Sequence, residues 1–223
     1  MAIISHENEI PAPLNTKIWR YLSKDKFESL LKDKALFFCR ADKFSDPFEG
    51  SLPIKVAEYR NDYESRLGGN FPDEVHEIQK NNAEGLKLLH QGFKRAVIVN
   101  CWHMNNSESD AMWRLYLNDN EGVAVSTTIS NLYKSLSNTK EDIGSSRVRY
   151  LNYDNDIWFH PVDYPHTGYN ILVPLLHKRT EFIHESEFRL YHQIQDAVYN
   201  DEYWNHQPNH KGKMIPVEVS VLV

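Results

Sequence analysis

Glycine is scarce in this chain of 223 residues, nine in all, and neither GxGxxG nor GxxxxGK[ST] occurs. Without backbone able to wrap a pyrophosphate, P-loop kinases and Rossmann dinucleotide domains are excluded. GxSxG is missing as well, which removes the nucleophile elbow of the α/β-hydrolases. Cysteine is rarer still, with only Cys39 and Cys101, each inside an apolar, aromatic-rich run (LFFCR and VIVNCWH). Such thiols read as buried and free rather than as a disulfide framework.

Long apolar runs are absent too. Ala96 to Val99 and Ile171 to Leu176 fall far short of the roughly 20 residues that span a bilayer, so no membrane segment is expected. The opening MAIISHENEIPAPLN lacks a basic start followed by an apolar stretch, so no secretory signal is legible and a cytoplasmic location is expected. Positive charge is in deficit, 25 Lys and Arg against 31 Asp and Glu, and the net charge of −6 gives no overall field for gathering nucleic acid. What the chain does have is a 41% hydrophobic content, enough for a real core, which excludes disordered and fibrous classes.

Strand and helix patterns intermix along the chain. Thr16 to Leu22 is β-prone, and Ser23 can cap a helix that carries Phe27, Leu30 and Leu31 on one face. Ala35 to Cys39 reads as a strand ended by DKFSDPFEG, where Asp46-Pro47 and Gly50 predict a compact turn with Glu49 capping or pairing nearby. Residues 53–95 form a polar tract with apolar positions at helical spacing, a helical insertion split at residues 68–72. Ala96 to Trp102 has the β-branched density of a central strand, and Ser107 is placed to cap a helix holding Met112, Trp113, Leu115 and Tyr116. Gly122 to Thr127 predicts a strand, Thr128 to Leu136 a helix, and Arg147 to Tyr153 a strand. A loop follows from Asp154 to Gly168, then a helix over Tyr169 to Lys178 and a strand over Glu185 to His192. MIPVEVSVLV alternates as a last strand; its abrupt apolar end predicts either a truncated sequence or central pairing in the sheet. With no repeat or linker, residues 1–223 read as one α+β domain: a mixed or antiparallel sheet, flanking helices and the insertion.

Eleven histidines raise the question of a metal, and Cys101 with His103 would share a strand face. HExxH and CxxC are absent and no second ligand pair accompanies CWH, so no metal site is expected. Arg179 and His184 have the Rx4H spacing of some ribonucleases, a match that 10 arginines and 11 histidines produce readily by chance. More informative is ESEFR, because strand periodicity puts Glu185, Glu187 and Arg189 on one face, opposite Phe188 and Leu190. That face is either the solvated side of a half-buried strand, with Arg189 pairing Glu187, or the wall of a cleft in which a carboxylate does chemistry.

The series IWRYL, ALFFCRADKFSDPFEG, NCWHMNNSESDAMWRLYLNDNEGVAVS and KRTEFIHESEFRL resembles the bacterial domain of unknown function 2971 family, from about Ile18 to the C-terminus and least within residues 53–95. More distantly, the order of a basic residue in a first strand, a hydroxyl in a middle strand and ExE in a late strand is similar to NAD-using ADP-ribosyltransferases. That resemblance implies NAD as substrate, with Arg20 holding its phosphates, Ser126 orienting a glutamate, and Glu187 stabilising the oxocarbenium-like ribose. It further implies Glu185 assisting a protein or nucleic-acid acceptor, and Tyr21, Trp113 and Tyr116 walling the nicotinamide. The alternative is a non-catalytic nucleotide- or protein-binding module, in stress response or phage defence. Catalysis requires Arg20 and Glu187 to share one pocket.

Overall fold

A computed structural model describes residues 3–4, 8–62, 73–117, 121–158, 172–194 and 210–223. In chain order the elements are β1 (Lys17–Ser23), α1 (Lys24–Asp33), β2 (Ala35–Arg40), α2 (Ile54–Asn61), α3 (Asp73–Ala96), β3 (Val97–Met104), α4 (Asp110–Leu117), β4 (Gly122–Thr128), α5 (Ile129–Ser135), β5 (Gly144–Arg147), β6 (Arg149–Leu151), β7 (His177–Arg179), β8 (Glu187–Gln193), β9 (Gly212–Pro216) and α6 (Val219–Leu222). This is an α+β fold on a seven-stranded antiparallel sheet, with β6 and β7 forming a small parallel pair beside it.

The β-branched run at the start of β3 makes it the hub. One edge of β3 pairs with β8 from Val97 to His103, and β5 lies beyond β8. The other edge is shared: β2 meets it at Ile98 and Val99, and β1 only at His103 and Met104. β4 extends the sheet outside β1, and β9 outside β2. Between the two contacts the sheet is split, and carbonyls there need other donors. Arg20 supplies them, its Nη1 donating to the Cys101 carbonyl at 3.2 Å and its Nη2 to the Phe37 carbonyl at 3.4 Å. Asn100 Nδ2 donates to the same Phe37 oxygen at 2.9 Å, and Trp102 Nε1 to Asn100 Oδ1 at 2.7 Å. Side chains do in the split what ladder bonds do elsewhere.

One face of the sheet carries the main core: Ile18, Phe38, Ile98, Trp102, Phe188 and Leu190 pack with Leu30 of α1, Leu132 of α5 and Leu222 of α6. On the opposite face, Trp19 and Tyr21 pack with Met112, and Val97, Val99 and Tyr191 pack with Phe93, Leu175 and Leu176. Period two places Cys101, His103, Glu187 and Arg189 between these two apolar patches, as the cross-strand pairs Cys101–Arg189 and His103–Glu187.

The expected strands over 16–22, 35–39, 96–102 and 122–127 stand within a residue or two of their predicted bounds, as does the helix over 128–136, which Thr128 caps by accepting from the Asn131 N–H at 3.2 Å. Other expectations are corrected. Ser109, not Ser107, precedes α4, its hydroxyl accepting from the Met112 N–H at 3.4 Å. The strand expected over Arg147 to Tyr153 is instead β5 and β6, interrupted where the Val148 N–H turns to the Glu187 carbonyl. In place of a helix ending at Lys178, Val173–Leu176 is a single 3₁₀ turn, with Pro174 in it, leading into β7. The C-terminal run divides into β9, an edge strand on β2 rather than a central one, and the helical turn α6; Pro216 ends the strand. In the insertion, α2 and α3 are helical; its expected break at residues 68–72 lies outside the described residues, as does most of the loop expected over 154–168.

Candidate functional site

A cleft of about 700 Å³ opens at the split in the sheet, within the range of small-molecule sites. Its walls are aromatic, with Trp19 and Tyr21 of β1, Phe37 of β2, Phe44, Tyr116 of α4 and Phe182; its charged lining includes Glu49, Lys178, Glu185, Glu187 and Arg189.

Those five side chains form one buried network of three carboxylates and two cations. Arg189 holds Glu187 with two bonds, Nε to Oε1 at 2.6 Å and Nη2 to Oε2 at 3.0 Å, and its Nη2 also bonds Glu49. Arg189 Nη1 donates to the Leu175 carbonyl at 2.5 Å. Lys178 Nζ lies 2.5 Å from Glu185, 3.2 Å from Glu187 and 3.8 Å from Glu49. Burial alone would favour neutral carboxyls, yet Arg189 and Lys178 hold the Glu187 carboxyl down at about 2, so it is ionised. Burial pushes the Glu49 carboxyl up, against the pull of Arg189 and Lys178. Burial also opposes the charge on Lys178, but Glu187 and Glu49 raise its ammonium above the ordinary lysine range.

Three distant segments converge here. Glu49 arrives on the DPFEG turn, where the Phe48 N–H bonds Asp46 Oδ1 at 3.1 Å and Gly50 takes φ +68°. Arg179 clamps that turn, 3.1 Å from Asp46 and stacked between the rings of Phe48 and Phe182. The compact turn expected there is present, and it places Glu49 against Arg189 and Lys178. Arg179 is taken up by Asp46, and the exposed His184 lies 3.2 Å from the Glu181 carbonyl through its Nδ1.

Glu185 reaches the network by another route than strand alternation. It ends a 3₁₀ turn, Thr180–Glu185, and Ser186 takes a left-handed conformation (φ 38°) before β8 starts at Glu187. Nor is the ESEFR face solvated: β8 lies between β3 and β5, and Glu187 and Arg189 are 4% and 1% exposed.

Of the other sequence-derived candidates, Arg20, Tyr21 and Tyr116 line the cleft together with Glu185 and Glu187. Arg20 starts on the main-core face with Ile18 and Leu22 and enters through the split, where both of its bonds go to carbonyls; desolvation lowers its pKa. Tyr21 is fixed by the Ser109 N–H, which donates to its hydroxyl at 2.9 Å. The ring of Tyr116 is half-exposed, while burial of its hydroxyl end, near Cys101 and Glu187, raises its pKa. Trp113 and Ser126 do not line the cleft. Trp113 backs Tyr21 edge-on at 5.2 Å, and Ser126 is exposed on the outer strand β4.

The sequence carries no signal for Lys178 and shows Glu49 only as part of its turn. His103 is visible as the last member of CWH, but only as a metal ligand; no group of three or more His, Cys, Asp or Glu side chains is placed to hold a metal ion among the described residues. Burial and Glu187 push the Cys101 thiol well above its ordinary pKa, which disfavours the thiolate. No helix of the described residues is long and apolar enough to cross a membrane. Compared with known proteins, the chain matches no family model, no curated protein and no solved structure.

Proposed function

We propose that the cleft binds a nucleotide of the NAD class and cleaves its nicotinamide–ribose bond, handing ADP-ribose to water or to a hydroxyl-bearing acceptor. One observation carries this reading: Arg20, Tyr21, Tyr116, Glu185 and Glu187 line a single cleft. In the proposed reaction the C1′–N bond breaks with its electron pair leaving on nicotinamide. The oxygen of the acceptor bonds C1′ and its proton is released. An ionised carboxylate in a desolvated site stabilises the positive charge that develops on the ribose. The network has one carboxylate more than it has cations, and aromatic walls also favour a cationic ring.

A second reading, binding without cleavage, draws on the saturation of Glu187. With Arg189 on both oxygens and Lys178 at 3.2 Å, that carboxylate is already paired, and in the enzyme reading the chemistry therefore falls to Glu185. Nicotinamide release from labelled NAD tests both. Cleavage by the wild type that drops by two to four orders of magnitude in Glu185→Gln, at unchanged melting temperature, supports the enzyme. NAD binding with no release leaves the binding module, and absence of binding overturns both.

A further inference from the structure

The cleft extends beyond the buried network of carboxylates and cations. On the sheet face that carries Glu187 and Arg189, β2 presents Phe37 and Cys39, because the alternate residues Leu36 and Phe38 belong to the main core. Cys39 pairs with Val99, and the same register carried two residues further sets Phe37 opposite Cys101 across the split. Met214 of β9 pairs directly with Phe37. Both side chains line the cleft and both are open to a bound molecule, Phe37 at 42% exposed and Met214 at 36%. The Phe37 ring is also seated. A Cβ on Gly212 would stand 2.7 Å from its Cζ, so the tip of the ring lies over bare backbone of β9. Phe44 and Phe182 already face Arg189 at 5.3 Å and Lys178 at 5.0 Å, whereas no cation faces the Phe37 ring among the described residues.

We infer that Phe37, with Met214 beside it, is a second subsite of the cleft, on which the purine base of the ligand stacks. Resting on the proposed function, this seats adenine on β2 while the cationic nicotinamide ring lies at the carboxylate end. β2 stands two strand spacings from β8, at least about 10 Å. The Phe37 ring leans further away, toward β9, so one ring does not reach from it to the network. Arg20 lies between the two ends, bonded to the Cys101 carbonyl on one side and the Phe37 carbonyl on the other, with no carboxylate partner among the described residues. A guanidinium without a counter-ion, midway between two ring sites, fits a ligand whose rings are joined by a diphosphate. An exposed phenylalanine alone is ordinary on a protein surface; its seat on glycine, its pairing with Met214 and its place in a cleft wall set this one apart. Because the ring is already held, stacking a base on it orders little else.

Three ligands separate the two ends by calorimetry: ADP-ribose, and carbocyclic analogues of NAD and of nicotinamide mononucleotide, in which a methylene replaces the ribose oxygen so that the bond to nicotinamide holds. Phe37→Leu keeps apolar bulk and removes the π face. Its affinity for the dinucleotide analogue and for ADP-ribose should fall about tenfold, and its affinity for the mononucleotide analogue should stay as in the wild type. Phe37→Tyr should restore the binding of all three. In the wild type, the adenine protons of the dinucleotide analogue are expected to show nuclear Overhauser contacts to the Phe37 ring. Undiminished binding of ADP-ribose in Phe37→Leu, or a loss that strikes the mononucleotide analogue as hard, overturns the inference and spares the proposed function. Failure of the wild type to bind either analogue overturns both. Should Phe37→Leu not fold, the Overhauser contacts alone decide, and their absence from the bound dinucleotide analogue overturns the inference.

Discussion

Replacing Glu187 by glutamine removes one negative charge from a place where two cations are buried against it. Breaking a buried ion pair from one side typically costs about 3–5 kcal/mol, because the remaining charge is left uncompensated. Glu187→Gln should therefore lower the denaturation midpoint strongly, and an activity lost in that variant says little unless its unfolding is measured beside it. His177 supplies a second residue-scale expectation. Burial, with Arg149 and Arg189 adding to it, lowers its pKa to about 3. The unfolded chain takes up that proton near pH 6.5 and the folded one only near 3, so stability falls with pH between them, by at most about 1.4 kcal/mol per unit. Glu187 acts in the same direction between about 4.5 and 2, and the raised Glu49 opposes it. Urea midpoints from pH 7 to 5 should decline in the wild type and flatten in His177→Phe. At this scale Glu187 and Arg189 were legible because period two is local. Glu49 and His103 were not, because their partners stand 140 and 82 positions away along the chain, and Lys178 was not, because only the 3₁₀ turn between β7 and β8 folds it back onto Glu185.

At the scale of elements, local chemistry named most strands and misjudged joints. Ser186 breaks the ESEFR run because a left-handed residue there lets Glu185 close a 3₁₀ turn, which no hydrophobic period reveals. Val148 and Pro216 likewise divide runs whose composition is uniformly β-prone. The DPFEG turn shows the opposite, a joint readable from proline, aspartate and glycine alone. Gly50 has φ +68°, and a Cβ there would stand 2.6 Å from Leu175 Cδ2. Gly50→Ala should cost more than about 1 kcal/mol, from backbone strain and from the clash together. Because the turn carries Glu49, ligand affinity in the cleft should weaken along with the melting temperature. If the midpoint is unchanged, the turn is not the rigid bracket described.

Across the whole molecule, the hub strand β3 is completed by a partner that comes much later in the chain. Val97 to His103 pairs with Gln193 to Glu187, and β2 awaits Gly212 to Pro216. A fragment of residues 1–158 keeps α3, β1 and β4 but exposes the apolar edge of β3, and it should aggregate rather than fold, as read by light scattering and circular dichroism. The same order of pairing governs synthesis on the ribosome. At about 5–20 residues per second, β3 emerges several seconds before β8 does, and for that interval the nascent chain carries an unpaired Val-Ile-Val edge. The charged pair Glu187–Arg189 arrives with the strand that covers this edge. Translation speed between residues 104 and 187, rather than any property of the finished protein, therefore sets how long that edge stays uncovered.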